Sequence, residues 1–239
     1  MDQFQTLVIS LPQSLTRQDQ VKKILSQTEL NWQFLEGIDG RKLQYPPPEY
    51  LPHKVERLLG FKLTPNEIGC FLSHRKAWQS CSNLQLPTLI FEDDFLILPN
   101  FNKVLLTLLD NLGQWQLVRL QALVNCDSKP EHYHGEFDLV HNQEDPLGAT
   151  AYLLQPNAAK ILLDHSKLIF EPLDHFLEHY KKHGIRMLAV KPYPVEISKA
   201  PSTITDRPNN RKSIRGLKKI YRSIFRQIDR LFSKEPWFP

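Results

Sequence analysis

The sequence predicts an α/β fold, a single domain built on a mostly parallel sheet, and three observations carry that prediction. Residues 7–35 place an apolar run, an amphipathic stretch and a second apolar run in succession, the strand–helix–strand pattern of parallel pairing. Further apolar runs recur at 87–91, 117–120, 150–154 and 187–190, separated by helical periodicity. The chain has 239 residues, 41% hydrophobic and 23% charged, enough to bury a core without disulfides or a structural metal.

Leu7-Val8-Ile9-Ser10-Leu11, closed by Pro12, reads as a buried first strand. Thr16 to Leu30 sets Val21, Ile24 and Leu25 among charges and predicts an amphipathic helix. Trp32 to Leu35 predicts the second strand, ended by the turn-rich Glu36-Gly37-Ile38-Asp39-Gly40. Tyr45 to Pro52 holds four prolines and predicts an extended loop. Thr64-Pro65-Asn66-Glu67 carries a Thr cap, Pro at the first helical position and Glu three residues after the cap, so a helix should run from there to about Ser80. Residues 87–91 form a strand that delivers Glu92-Asp93-Asp94 at its carboxyl end, where ligand sites gather in open α/β sheets. Asp127 to Pro146 reads as a long surface loop or weak hairpin. A strand at 150–154, helices at 156–165 and 172–183, and a last strand at 187–190 complete the body.

Composition narrows the function classes. Three cysteines are a sparse, odd set that suits a reducing compartment. The opening residues lack the apolar run of a signal peptide, and no stretch approaches the roughly 20 apolar residues of a membrane span. The net charge of +4 is asymmetric. Residues 207–234 hold ten Lys or Arg against Asp229 alone, which leaves 20 bases and 25 acids elsewhere. A nucleic-acid binder carries its positive charge on the folded body, so nucleic acid is not an expected partner.

Three consecutive carboxylates after an apolar strand repel one another, and a divalent cation resolves the conflict, with Mn2+ or Mg2+ favouring oxygen ligands and phosphate. The alternative is a solvated acidic turn. On the helix after Thr64, Ile68, Phe71, Leu72 and Trp78 are core positions, while Cys70, His74, Ala77 and Cys81 share another face. Cys70, His74 and Cys81 lack both a fourth ligand and the usual close cysteine pairing, so they do not describe a zinc site. His74-Arg75 reads as a polar pair directed at an anion, or as an ordinary surface pair. Asp174 opens a helix, where the dipole favours an acid, and facing a cleft it would be a general base. Glu171 and Asp145 are alternative bases, and Asp39-Gly40 reads equally as a plain turn.

In order along the chain, Val8-Ile9-Ser10-Leu11 with Arg17, Gly37-Ile38-Asp39-Gly40, Leu63-Thr64-Pro65-Asn66-Glu67-Ile68-Gly69-Cys70 running into Leu72-Ser73-His74-Arg75, Phe91-Glu92-Asp93-Asp94, Gly148-Ala149-Thr150-Ala151-Tyr152 and Pro172-Leu173-Asp174-His175-Phe176 resemble glycosyltransferase family 25, the lipooligosaccharide galactosyltransferases. Two positions depart from the family pattern: Ser10 stands where an Asn is usual, and Asn66 where Gly is frequent. The resemblance implies a GT-A-like domain over residues 1–205. It implies an inverting, metal-dependent transfer of galactose from UDP-galactose to a lipooligosaccharide acceptor sugar, giving a β-galactoside. Ser10, Arg17, Asp39 and Gly40 would hold the nucleotide, His74 and Arg75 would lie near the diphosphate or sugar, Asp93 near the ribose, Asp94 on Mn2+ or Mg2+, and Asp174 would be the base. A transferase for another UDP-hexose, or a non-catalytic membrane-associated module, are the alternatives.

Residues 206–239 read as a separate basic tail. From Ile214, Leu217, Ile220, Tyr221, Ile224, Phe225, Ile228, Leu231 and Phe232 keep helical spacing with Lys and Arg between them, and Trp237-Phe238 follow. That pattern predicts an interfacial helix on an anionic membrane surface, each basic residue worth about 1 kcal/mol there. The expected location is cytoplasmic, peripheral on the inner face of the inner membrane.

Overall fold

The computed structural model describes residues 3–198; the predicted tail helix and its membrane contact lie outside the described residues. The chain runs β1 (Gln5–Ser10), α1 (Leu15–Leu25), β2 (Trp32–Glu36), α2 (Pro52–Leu59), α3 (Pro65–Leu84), β3 (Thr88–Glu92), β4 (Phe95–Ile97), α4 (Phe101–Asp110), β5 (Leu117–Arg119), β6 (Ser128–Tyr133), β7 (Asp138–Asn142), β8 (Ala151–Leu154), α5 (Pro156–His165), α6 (Leu173–Glu178), α7 (Tyr180–His183), β9 (Met187–Lys191) and β10 (Val195–Ile197).

Eight strands form one sheet in the order β2-β1-β3-β8-β5-β9-β7-β6. β1 pairs in parallel with β2 and β3, and β5 with β9. β8 is antiparallel to both β3 and β5, and β7 to both β9 and β6. Six strands therefore share one direction and β7 and β8 oppose them, so the sheet is mixed α/β with mostly parallel strand directions. β4 and β10 form a separate antiparallel pair.

Alternation along the strands splits the core between the two faces of the sheet. Leu7, Ile9, Ile90, Tyr152 and Leu154 face the helices α2, α3, α5 and α6, joined by Phe71, Trp78 and Phe176. Val8, Leu89, Phe91, Ala151 and Leu153 face α1 and α4, joined by Val21, Phe101 and Val104. The Thr64 cap behaves as its sequence predicts: its hydroxyl accepts from the Glu67 backbone N–H, and the Glu67 carboxylate accepts from the Thr64 N–H at 2.9 Å.

Several elements differ from expectation. α1 stops at Leu25 because Ser26 and Thr28 fold their hydroxyls onto the carbonyls of Lys23 and Leu25. The proline-rich stretch ends in α2, where Pro52 opens the helix and Gly60, at φ 79°, closes it. For the segment 127–146 the hairpin is the reading that holds, formed by β6 and β7. The helix expected over 172–183 is two short ones, interrupted at His179.

Candidate active site

Because β1, β2 and β3 are parallel, their last residues Ser10, Glu36 and Glu92 end at one edge of the sheet. A cavity of about 380 Å³ lies at that edge, and Ser10, Arg17, Asp39, His74, Asp93 and Asp94 all line it. It falls within the usual size range of small-molecule sites, roughly 300–1,000 Å³.

Asp93 is held from two sides. The Ser10 hydroxyl donates to Oδ2 at 2.7 Å, and the Arg17 guanidinium to Oδ1 at 2.6 Å. Asp94 is held less well. Arg17 stands 3.8 Å from its Oδ2, and its Oδ1 is buried with no hydrogen-bond partner among the described residues. Burial and the neighbouring charges of Glu92 and Asp93 push the Asp94 carboxyl up to about 7, against the pull of Arg17. A buried, orphaned carboxylate oxygen beside two further acids is a donor set that suits a hard divalent cation, so these residues fit Mn2+ or Mg2+.

Glu92 is the third acid and has its own partners. His74 Nε2 lies 3.2 Å from Oε1, the Cys70 thiol 3.4 Å from the same oxygen, and the Thr150 hydroxyl donates to Oε2 at 3.3 Å. Burial raises the Glu92 carboxyl, but these donors outweigh it and hold the group below its ordinary range. His74 is fully buried, and its Nδ1 lies 2.8 Å from the Tyr152 hydroxyl, which also accepts from the Trp78 indole N–H at 2.8 Å. One assignment satisfies every atom: Trp78 donates to Tyr152, Tyr152 to Nδ1, and Nε2–H to Glu92.

Asp39 also lines the cavity, at the turn after β2. Arg41 beside it, through side-chain and backbone hydrogen bonds, holds its carboxyl at about 2, and Gln13 donates to it at 2.8 Å. Gly40 is placed differently. It lies outside the cavity lining, packed against the start of α3, where a Cβ would stand 1.6 Å from the Pro65 carbonyl oxygen. Gly69 faces it, since a Cβ there would come within 2.6 Å of the Gly40 nitrogen. Two glycines are what let the turn and α3 touch backbone to backbone.

His74 and Arg75 do not share the cavity lining. Arg75 is outside the lining, and its Nε is buried without a partner among the described residues. Asp174 also lies outside the lining, in the first turn of α6, where its Oδ1 accepts from the His175 N–H at 3.0 Å. Glu171 is buried against His179 and Lys182. Cys81 is remote from Cys70 and His74: its thiol donates to the Leu86 and Leu154 carbonyls, and burial pushes it up to about 11. Cys70, Tyr152 and Thr150 are site residues that motif reading left without a role, although the i, i+4 spacing of Cys70 and His74 already put those two on one helix face.

The fold and the site define an α/β protein with a carboxylate-rich ligand cavity at the carboxyl ends of parallel strands. A family model described as glycosyltransferase family 25 (LPS biosynthesis protein) matches residues 3–177. The chain belongs to that family. Lipooligosaccharide biosynthesis protein lic2B of Haemophilus influenzae is 31% identical over 169 residues, covering 66% of this chain and 62% of that protein. Procollagen galactosyltransferase 2 of Homo sapiens is 25% identical over 230 residues, 83% of this chain and 36% of that protein. The Mus musculus protein named inactive glycosyltransferase 25 family member 3 is 29% identical over 126 residues, 48% of this chain and 21% of that protein. The chain thus spans about a third of the human relative's length and about three fifths of lic2B. Among the described residues, no helix is long and apolar enough to cross a membrane.

Proposed function

We propose that this chain transfers galactose from UDP-galactose to a lipooligosaccharide sugar with inversion, giving a β-galactoside. The observation that carries the reading is the cavity at the ends of β1, β2 and β3, where Arg17 and Ser10 anchor Asp93 while Asp94 keeps an unpartnered oxygen. Asp93, with lone pairs to spare on both anchored oxygens, would accept from ribose hydroxyls. Asp39 would take part in holding the uridine, with Arg41 and Gln13 fixing its carboxylate. Gly40 would serve the nucleotide indirectly, by seating the Asp39 turn on α3. His74, immobilised by Tyr152 and Glu92, would border the sugar.

A divalent cation held by Asp94 would supply positive charge to the leaving diphosphate. The acceptor oxygen forms its bond to the anomeric carbon as the bond to the diphosphate oxygen breaks; UDP leaves, and the hydroxyl proton passes to Asp174. With Asp174 outside the cavity lining, the acceptor would enter between α6 and the cavity. Residues 1–205 would form the catalytic domain, and residues 206–239 a membrane-surface tail of the kind their charge and periodicity describe, tested by sedimentation with anionic vesicles.

The test is UDP release by the purified full chain from a panel of UDP-sugars, with and without Mn2+. Mn2+-dependent release, fastest with UDP-galactose, is expected. Preference for UDP-glucose or a UDP-N-acetylhexosamine would move the donor assignment. The inactive family member makes a non-catalytic role the second reading; no release from any UDP-sugar with any divalent metal would establish it and overturn the first.

A further inference from the structure

The geometry points to a second metal site in the same cavity: Cys70, His74 and Glu92 form a Cys–His–carboxylate site for a borderline ion of the Zn2+ type. The site is separate from Asp94 and does not depend on the transferase reading. Cys70 and His74 lie one turn apart on α3, and β3 brings Glu92 to them across the helix–sheet interface. The thiol sulfur, a ring nitrogen and a carboxylate oxygen all lie within 4.8 Å of one another, and all three residues line the cavity.

Two of the three ligand–ligand edges match tetrahedral zinc. Zinc bonds of about 2.3 Å to sulfur, about 2.0–2.1 Å to nitrogen and about 2.0–2.2 Å to oxygen imply tetrahedral edges of roughly 3.6 Å for S···O and roughly 3.4 Å for N···O. The structure has 3.4 Å from Cys70 Sγ to Glu92 Oε1 and 3.2 Å from His74 Nε2 to the same oxygen. The outer partners are those of a built site: Tyr152 fixes the His74 ring at Nδ1, and Thr150 engages the other Glu92 oxygen. On binding, the Cys70 thiol gives its proton to solvent, Glu92 is already the carboxylate, and the His74 proton moves from Nε2 to Nδ1, so that Nε2 is free to bind while the Tyr152 oxygen turns from donor to acceptor at Nδ1. The cavity offers the fourth position to water or a phosphate oxygen. A thiolate and an imidazole favour Zn2+ over Mn2+ or Mg2+, whereas the oxygen of Asp94 favours the harder ions, so the two positions select different metals.

The experiment titrates the reduced, metal-stripped full chain with Co2+ and then Zn2+. One equivalent of Co2+ is expected to give a thiolate charge-transfer band in the near ultraviolet, bleached by one equivalent of Zn2+. The band should vanish in Cys70→Ser and persist in Cys126→Ser. Zn2+ affinity by chelator competition should fall at least about tenfold in Cys70→Ser and in Glu92→Gln. A second measurement needs no variant: one equivalent of Zn2+ should protect Cys70 of the unaltered chain from alkylation, read by peptide mass mapping. The absence of a thiolate band, its survival in Cys70→Ser, or alkylation of Cys70 unaffected by Zn2+ would each overturn the site and leave the three residues as a hydrogen-bonded cluster only.

Discussion

Two clusters of buried charge sit on the same sheet and resolve their electrostatics in opposite ways. At the ends of β1, β2 and β3, three carboxylates meet one guanidinium, and Asp94, in the cavity lining, keeps a buried oxygen with no hydrogen-bond partner among the described residues. At the end of β5, Arg119 is 1% exposed and is matched by Glu178 and by the carbonyls of Leu147 and Gly148. The second cluster balances its charge within the protein, a carboxylate and two carbonyls against one guanidinium, although Arg119 Nε has no partner among the described residues; the first is short of positive charge, which on the proposed reading a ligand supplies. The difference teaches that burial alone does not mark a binding site. An uncompensated charge beside open volume does.

The sharpest way to break the comparison is to change the proposed base. Asp174→Asn should lower galactose transfer to acceptor by about 10²–10⁴-fold while leaving UDP binding intact; transfer rates within a few-fold of the parent would remove Asp174 from the mechanism. For the self-contained cluster the effect should fall on stability. Arg119→Met, by stranding Glu178, should cost about 3–5 kcal/mol in urea unfolding, and adding Glu178→Leu should restore most of it. A single variant as stable as the parent would show that the pair is not buried in solution.

Asp94→Asn should do the reverse, lowering Mn2+-dependent UDP release by about 10²–10³-fold while making the metal-free protein more stable at high pH. The sign follows from the raised carboxyl. Its stabilising share is fully present below the ordinary 3.8 and is lost as pH rises to about 7, because the folded state resists ionising the group. The stability gap between Asp94→Asn and the parent should therefore widen from pH 4 to pH 8, and Mn2+ should narrow it; a gap independent of pH would contradict the electrostatics described for Asp94. The smallest change is Tyr152→Phe. It leaves the Trp78 indole N–H and His74 Nδ1 without their shared hydroxyl, at a cost of about 1–3 kcal/mol by thermal or urea unfolding.

Particular segments explain what the sequence reveals and where it stops. The Thr64–Glu67 capping box and Pro65 announce α3 because capping is satisfied within four residues. α5 begins at Pro156 and follows its periodicity to His165. α2 was hidden because Pro52, at the end of a proline run, reads locally as a breaker, yet it occupies the one helical turn that needs no N–H. β4 and β10 were hidden because each is three residues long and gains its partner from about 100 residues away. The Glu92-Asp93-Asp94 triplet was visible at the end of a strand, but its three acids look equivalent in sequence and have three different environments in the fold.

By itself, then, the sequence determined the alternation of strands and helices, the cap of α3 and the delivery of an acidic triplet to the ligand-bearing edge of the sheet, because each depends on periodicity or on partners a few residues apart. Only the tertiary structure decided that Asp93 is anchored by Ser10 and Arg17 while Asp94 is not, that Glu92 joins Cys70 and His74, and that Gly40 serves packing against Gly69. Those outcomes rest on where α1, α3 and the turn after β2 cross the sheet. The crossings are set by the summed packing of both core faces, and no local pattern carries that information.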